Sequence, residues 1–388
     1  MKILIWSPTG VGNHYSGPAT STHRLFTELK QQFPNIELAL VHGSDEQDES
    51  SPLFETQFKI LSIHKIGQSK GHFVNKFHYL SRSYSWVKRN SSSYDLIYMP
   101  VSNIYTLVPL LWFRSLRKPV ITRLAVNHEL HNNNRLKKTI RFSELRVWFI
   151  KKSQMVIAIS SDISKRLRQL GVPSDKVVDL PNLVDTDKYR PVSLNSQNDA
   201  KMALGLTRKH FVVSIVGSIC PRKNQISLLK AVNSLPKDIH VVFAGPFLND
   251  SYERQIRTIV NELNLNERIT FTGHLDEVVC IYAASDVYCL PSKAEGMPNS
   301  LLEAMSSGLP AIASDIEGNR DLIGDGTTRG LFTDGTPESL SNQIIRLYGD
   351  RDYVFALGQN ARSFIEENHS YMKNVPKLYN EFLTLVKR

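Results

Sequence analysis

The run Asp286-Val-Tyr-Cys-Leu-Pro-Ser292 leads into Glu295-Gly-Met-Pro-Asn-Ser-Leu-Leu-Glu303 and then Pro310-Ala-Ile-Ala-Ser314. The outer two stretches are short apolar runs, and the middle one opens a helix. Pro298 fits a first helical position and Gly308 a C-terminal cap, so the rules of helix termini bound a helix of about ten residues. Strand, helix, strand with apolar strands predicts a parallel sheet covered by helices. Outward from this unit the same alternation repeats, in FVVSIVGS (211–218), HVVFAGP (240–246), ITFTGH (269–274) and GLFT (330–333). Helices over about 225–235 and 253–263 are predicted between them.

The first half shows the same pattern. Its strand candidates are KILIWS (2–7), ELALVH (37–42), FKILSIH (58–64), DLIYMP (95–100), PVITRLAV (119–126) and MVIAIS (155–160). At 388 residues the chain exceeds what one core usually supports. Two doubly wound α/β domains follow, with ligands expected beyond the carboxyl ends of their strands and a cleft between the two. The boundaries read as 1–187, 188–370 and a terminal helix over 371–388. The chain crosses between domains near PNLVDTDKYRP (181–191), and 193–201 is the most linker-like polar stretch.

Composition excludes other classes. With 41% hydrophobic and 22% charged residues the chain is an ordinary globular protein. Cys220, Cys280 and Cys289 form no CxxC pair and read as scattered thiols of a reducing compartment. The opening MKILIWSP reads as a strand, not a signal peptide. The longest apolar stretch, 104–113, is about half of what a membrane span requires. These features predict a cytoplasmic chain.

The net charge of +10 is unevenly placed. Residues 1–190 carry 27 Lys/Arg and 15 Asp/Glu, whereas 191–388 carry 20 and 22. Residues 68–152 alone hold 16 basic and 3 acidic side chains. Such a patch suits nucleic acid, an anionic membrane or a polyanionic ligand. RLKKTIRFSELRVWFIKK (135–152) sets Trp148 among Lys137, Lys138, Arg141 and Arg146, the pattern of a basic amphipathic helix with an interfacial tryptophan. A solvated helix covering the sheet explains the same pattern. No zinc finger, RNP or helix-turn-helix pattern accompanies the charge, which disfavours nucleic acid as partner.

Three stretches carry chemistry. The first βα turn, SPTGVGNHYSGP (7–18), has glycines that let amides approach an anion, Gly17 among them. Its spacing is not GxGxxG, and no acidic residue ends the second strand, so a dinucleotide enzyme is disfavoured. In the second half the equivalent turn is GSICPRKN (217–224), where Gly217 precedes the adjacent cations Arg222 and Lys223, suited to a diphosphate. An exposed Arg-Lys pair in a loop is the plainer alternative. In EGMPNSLLE (295–303), Gly296 frees the backbone, and the amides near Asn299, Ser300 and Leu301 can face phosphate. Glu295 and Glu303 can each accept two sugar hydroxyls. A helix cap plus a surface glutamate explains the spacing equally well.

EGMPNSLLEAM, with seven residues between its glutamates, is similar to the donor-site signature of family 4 retaining glycosyltransferases. PNLVDTDKYRP, GSICPRKN, FTGHL (271–275) and PAIASDIEGNRDLIGDG (310–326) follow the family's order, so the resemblance spans nearly the whole chain. It implies the GT-B fold: two facing Rossmann-like domains, acceptor site in the first, nucleotide-sugar site in the second. The terminal helix would cross back to the first domain.

The resemblance also implies residue roles. Glu303 would hold the ribose hydroxyls and Glu295 those of the transferred sugar. Arg222 and Lys223 would hold the diphosphate. The amides of Met297, Asn299, Ser300 and Leu301 after Pro298, with the Gly17 turn, would bracket phosphate and sugar. The base would lie against Gly273, His274 and Leu275. One departure is plain: many members carry a histidine where PVITRLAV ends, and here the nearest is His128, with His14 in the first turn as a second candidate.

The expected activity is retaining transfer of a hexosyl or N-acetylhexosaminyl group from a nucleoside-diphosphate sugar, UDP favoured. The acceptor would be a glycan or polyprenyl-linked lipid of surface polysaccharide or glycoconjugate synthesis. No cofactor or metal is expected, since two cations face the diphosphate. The enzyme would sit peripherally on the inner membrane face. A nucleotide-sugar epimerase of the same fold and a basic nucleic-acid-binding protein are the rival readings.

Overall fold

The computed structural model describes residues 1–7, 17–42, 61–65, 74–100, 104–125 and 146–387. They divide into two compact units, residues 1–182 with 372–388, and residues 183–371. The dividing line falls after Asn182, ahead of the boundary at 187 drawn from sequence.

The first unit is built on a seven-stranded sheet of order β3-β2-β1-β4-β5-β6-β7. The strands are β1 (Lys2–Trp6), β2 (Glu37–His42), β3 (Leu61–Lys65), β4 (Leu96–Met99), β5 (Val120–Leu124), β6 (Met155–Ala158) and β7 (Val177–Asp179). Every pairing is parallel. Strands β4, β5 and β6 are buried throughout, as the continuous apolar runs require of a sheet with helices on both faces. On one side Trp6 packs edge-on against Trp86 and Phe113. Elsewhere in this unit Tyr98 meets Phe26 and Phe382, and Phe33 stacks on Tyr379 with centroids 3.9 Å apart. Phe382 and Tyr379 belong to the final helix, Tyr371–Lys387, so the chain's last apolar stripe completes the core of its first unit.

The second unit has a six-stranded sheet of order β10-β9-β8-β11-β12-β13. These are β8 (Phe211–Val216), β9 (Ile239–Ala244), β10 (Ile269–Gly273), β11 (Val287–Leu290), β12 (Ala311–Ser314) and β13 (Leu331–Thr333). All of them pair in parallel. Strand order reverses between β8 and β11, which lie side by side with Val287 opposite Val213 and Tyr288 opposite Ser214. Such a switch point leaves a crevice, because the two following loops turn to opposite faces. Those loops are the one holding Arg222 and Lys223, and the one holding Glu295.

Two local expectations are corrected. Residues 193–201 are not linker: Leu194–Ala203 is a helix, capped by Ser193, whose hydroxyl accepts the Ser196 amide. Lys201 anchors it from inside, buried and paired with Asp286 at 2.7 Å, an arrangement polarity counts cannot see. The helix of the opening motif runs Asn299–Ser306, with Pro298 extended at the N-cap (φ −75°, ψ 119°) in place of the first helical position. It ends as expected of glycine: Gly308 has φ +75°, its amide donates to Met305 and that of Leu309 to Ala304. Those two bonds satisfy the last carbonyls of the helix.

Candidate functional site

At the β8–β11 switch point a short turn, Pro221–Lys223, follows the strand and ends at Asn224 in the left-handed region (φ +57°). Asn224 holds that turn by donating to the Gly335 carbonyl at 3.1 Å and accepting the Ser227 hydroxyl at 3.0 Å. The β11 loop is laced to it, since the Lys293 amide donates to the Arg222 carbonyl and Arg222 Nη1 donates to the Ala294 carbonyl.

These ties bring three charges together. Glu295 Oε1 lies 2.7 Å from Arg222 Nη1 and 2.9 Å from Lys223 Nζ. Glu295 and Lys223 side chains are each 9% exposed, whereas Arg222 is 51% exposed. Burial opposes ionisation of Glu295, but Lys223 and then Arg222 outweigh it and hold the carboxyl below its ordinary range. Lys223 reaches Glu295 across Gly217 (φ +134°), where a Cβ would touch its Cε and Nζ at 3.6 and 3.7 Å. The cluster carries a net +1 from cations already gathered, an arrangement chemically suited to an anionic ligand.

Glu303 occupies the second corner, buried on Asn299–Ser306. Its Oε2 accepts the Tyr282 hydroxyl at 2.8 Å. The same hydroxyl lies 3.2 Å from the Ser300 carbonyl, and Tyr288 donates to Ser300 Oγ at 2.7 Å. Tyr288, fully buried, feels both Glu295 and Glu303 and is pushed well above its ordinary range, mainly by burial. Tyr288 therefore stands within electrostatic reach of both glutamates.

The remaining sequence candidates divide. Gly296 is pressed against the helix Glu317–Ile323, where a Cβ on Gly318 would meet the carbonyl oxygens of Glu295 and Gly296. Met297 is buried. The amide rim at the helix start is narrower than sequence suggested, because Pro298 has no N–H and the Leu301 amide donates to the Pro298 carbonyl at 3.2 Å. His274 is exposed, its Nε2 3.5 Å from Asp276, and Leu275 is half-buried. Gly17 begins the helix Gly17–Gln32 of the first unit. Arg146 is half-buried and Trp148 is 46% exposed, with Lys152 Nζ 5.0 Å from its ring centroid. His14, His128, Lys137, Lys138 and Arg141 lie outside the described residues.

Sequence reading missed the supports: Tyr282, Tyr288, Gly318 and Arg362. Arg362 Nη1 donates to the carbonyls of Thr186, Tyr189 and Ser306, which ties the helix end to the start of the unit. Gly318 lies in EGNR (317–320), whose composition gives no sign of a close backbone approach, and no periodicity marks the tyrosines as polar partners.

Comparison with known proteins agrees with this architecture. Residues 15–188 match the family described as Glycosyltransferase Family 4, and residues 196–364 match Glycosyl transferases group 1. A UDP-Gal:alpha-D-GlcNAc-diphosphoundecaprenol alpha-1,3-galactosyltransferase of Escherichia coli is 31% identical over 228 residues, 57% of each chain. A GDP-mannose-dependent alpha-(1-6)-phosphatidylinositol monomannoside mannosyltransferase of Mycobacterium tuberculosis is 26% identical over 55% of this chain and 57% of that one. The chain thus spans 57% of the length of either relative. HepE of Anabaena, solved with UDP, superposes with a TM-score of 0.80 at 18% identity, covering 99% of this chain and 100% of that one. The fold is GT-B, and each half of the chain matches a glycosyltransferase family model.

Proposed function

We propose that this chain is a hexosyltransferase that uses a nucleoside-diphosphate sugar, with retention at the anomeric carbon. The observation that carries the reading is the charge cluster of Arg222, Lys223 and Glu295 at the β8–β11 switch point, beside the buried Glu303. The leaving diphosphate gains negative charge as the glycosidic bond breaks, and Arg222 and Lys223 are placed to stabilise it. Glu295 then offers its carboxylate to the sugar hydroxyls, and Glu303 binds those of the ribose. Two cations supply the charge a divalent metal would otherwise bring, so turnover should survive EDTA.

UDP is the favoured nucleotide, in keeping with the UDP-Gal-dependent relative of Escherichia coli and the UDP complex of HepE. GDP-mannose is the alternative named by the mycobacterial relative. A thermal-shift screen of UDP-, GDP- and ADP-sugars tests the donor, since a specific ligand raises the midpoint by mass action. A donor that stabilises the chain and is consumed only when a glycan or polyprenyl-linked acceptor is present supports transfer. Release of an altered nucleotide sugar without acceptor would make the chain an epimerase.

A second reading concerns the acceptor. The helices Val74–Asn90 and Ile104–Ser115 carry no acidic residue, and Tyr84 meets Trp112 at 5.4 Å between them. Exposed Tyr84 and Leu116 stand among exposed Arg82, Lys88, Arg89 and Arg117. Cations mixed with exposed apolar side chains suit an anionic bilayer, and with it a lipid-linked acceptor of surface glycan synthesis. No helix among the described residues is long and apolar enough to cross a membrane. Cosedimentation with anionic vesicles, lost with neutral vesicles or raised salt, is the expected result. Equal recovery with both vesicle types would remove the membrane from the reading.

A further inference from the structure

Tyr282 belongs to none of the motifs that mark the site, yet its hydroxyl is fully committed to it. It lies on Val279–Ala284, the helix that follows the Gly273–His274–Leu275 loop proposed to carry the base. Its ring is buried against Tyr189 and Tyr288, with centroids 5.8 and 6.0 Å away. Its hydroxyl donates to Glu303 Oε2 at 2.8 Å and reaches the Ser300 carbonyl at 3.2 Å. Burial, reinforced by the charge on Glu303, keeps this phenol protonated, so it acts as a hydrogen-bond donor.

We propose that Tyr282 is the positioning residue for ribose recognition: by occupying Glu303 Oε2 it sets the rotation of that carboxylate and thereby the preference for a nucleotide bearing both ribose hydroxyls. This rests on the reading of Glu303 as the ribose-binding carboxylate. A carboxylate on a flexible side chain has two equivalent oxygens and a broad terminal torsion. Fixing one oxygen on a rigid aromatic donor removes that freedom before the ligand arrives, so the bond to the ribose costs less ordering. The second contact, to the Ser300 carbonyl, ties the setting to the start of the same helix. Tyr288 is the internal contrast, equally buried but bonded to Ser300 Oγ and not to the carboxylate.

The test compares binding of UDP and GDP with that of their 2′,3′-dideoxy analogues, by calorimetry, to the full chain and to Tyr282→Phe and Tyr288→Phe. The unsubstituted chain should prefer one ribonucleotide over its dideoxy partner by about tenfold or more, the scale of a hydrogen bond to a charged group. In Tyr282→Phe that ratio should fall to within about threefold while dideoxynucleotide affinity stays nearly constant, because the ring and its packing remain. Tyr288→Phe should keep the ratio. A ratio unchanged in Tyr282→Phe overturns the positioning role and leaves the Glu303 assignment standing. An equal loss in Tyr288→Phe shows general loosening of the helix start, and also overturns it. A chain that binds neither nucleotide, or binds ribose and dideoxyribose forms alike, refutes the Glu303 reading itself and the inference with it.

Discussion

Glu295 and Glu303 are the same residue type, with seven residues between them, and both are buried, yet they are held in different ways. Glu295 stands in a loop and is kept ionised by two cations sharing one of its oxygens. Glu303 stands on a helix and is oriented by a neutral tyrosine hydroxyl. A carboxylate compensated by two cations is set by electrostatics. One that accepts a directional hydrogen bond from a buried tyrosine is set in orientation by that bond. The contrast between electrostatic and directional support is what substitutions can break.

The largest expected effect is on turnover. Glu303→Ala and Lys223→Ala should each lower kcat/KM about 100- to 1000-fold, the scale of one preorganised charge or donor at a reacting centre. If either purified, folded variant retains near-normal rates, that corner is not part of the site. Next comes stability. Lys223→Met leaves Glu295 buried with Arg222 alone, and should cost about 2 kcal/mol in urea unfolding, less than a wholly unpaired buried charge. Glu303→Gln keeps its tyrosine partner, and a loss as large as that of Lys223→Met would erase the distinction between the two corners.

Gly318→Ala should act on one corner only. The added methyl meets the Glu295 and Gly296 carbonyls, so overpacking of about 1–3 kcal/mol and a raised donor KM are expected. Ribose discrimination should be untouched, and its loss would mean that the corners are mechanically one.

The smallest effect is on pH dependence. Burial, with His210 and Arg268 beside it, lowers the His240 pKa to about 4. A histidine depressed in the fold takes up its proton more readily when unfolded. Its contribution is therefore complete above pH about 6.5 and is lost as pH falls from there toward 4, by on the order of 1–2 kcal/mol once solvent screening is allowed for. His240→Gln should flatten that limb of the melting profile. Glu295, whose folded pKa is lowered, contributes fully above its ordinary value and loses that contribution as pH falls from there through the lower one. Glu295→Gln should thus flatten only the more acid limb.

Much of this was legible in the residues themselves. Twelve apolar runs alternating with helices specify parallel sheets, because a strand buried on both faces cannot alternate polar and apolar side chains, whereas the short edge strand Val177–Asp179 carries no such run. Gly308 predicts its helix end because a residue without a Cβ adopts the left-handed region, here φ +75°, with little strain. The polar run 193–201 misled because Lys201 and Gln197 are satisfied from inside, by Asp286 and the Ser285 carbonyl. Hydrophobicity counts score such residues as solvent-facing.

The sequence by itself determined the two-part α/β architecture, the locations of Arg222, Lys223 and Glu295 in βα turns and of Glu303 on the helix that follows, and the concentration of charge in residues 68–152. Those are properties of local order and composition. Only the tertiary structure decided that Arg222 and Lys223 pair with a glutamate about 70 residues away, and that Tyr282 holds Glu303. The physical reason is the strand order: β8 and β11 are neighbours in the sheet but separated by two other strands in the chain. Their loops meet only once the sheet has formed, and partners chosen by such a meeting leave no periodic trace along the sequence.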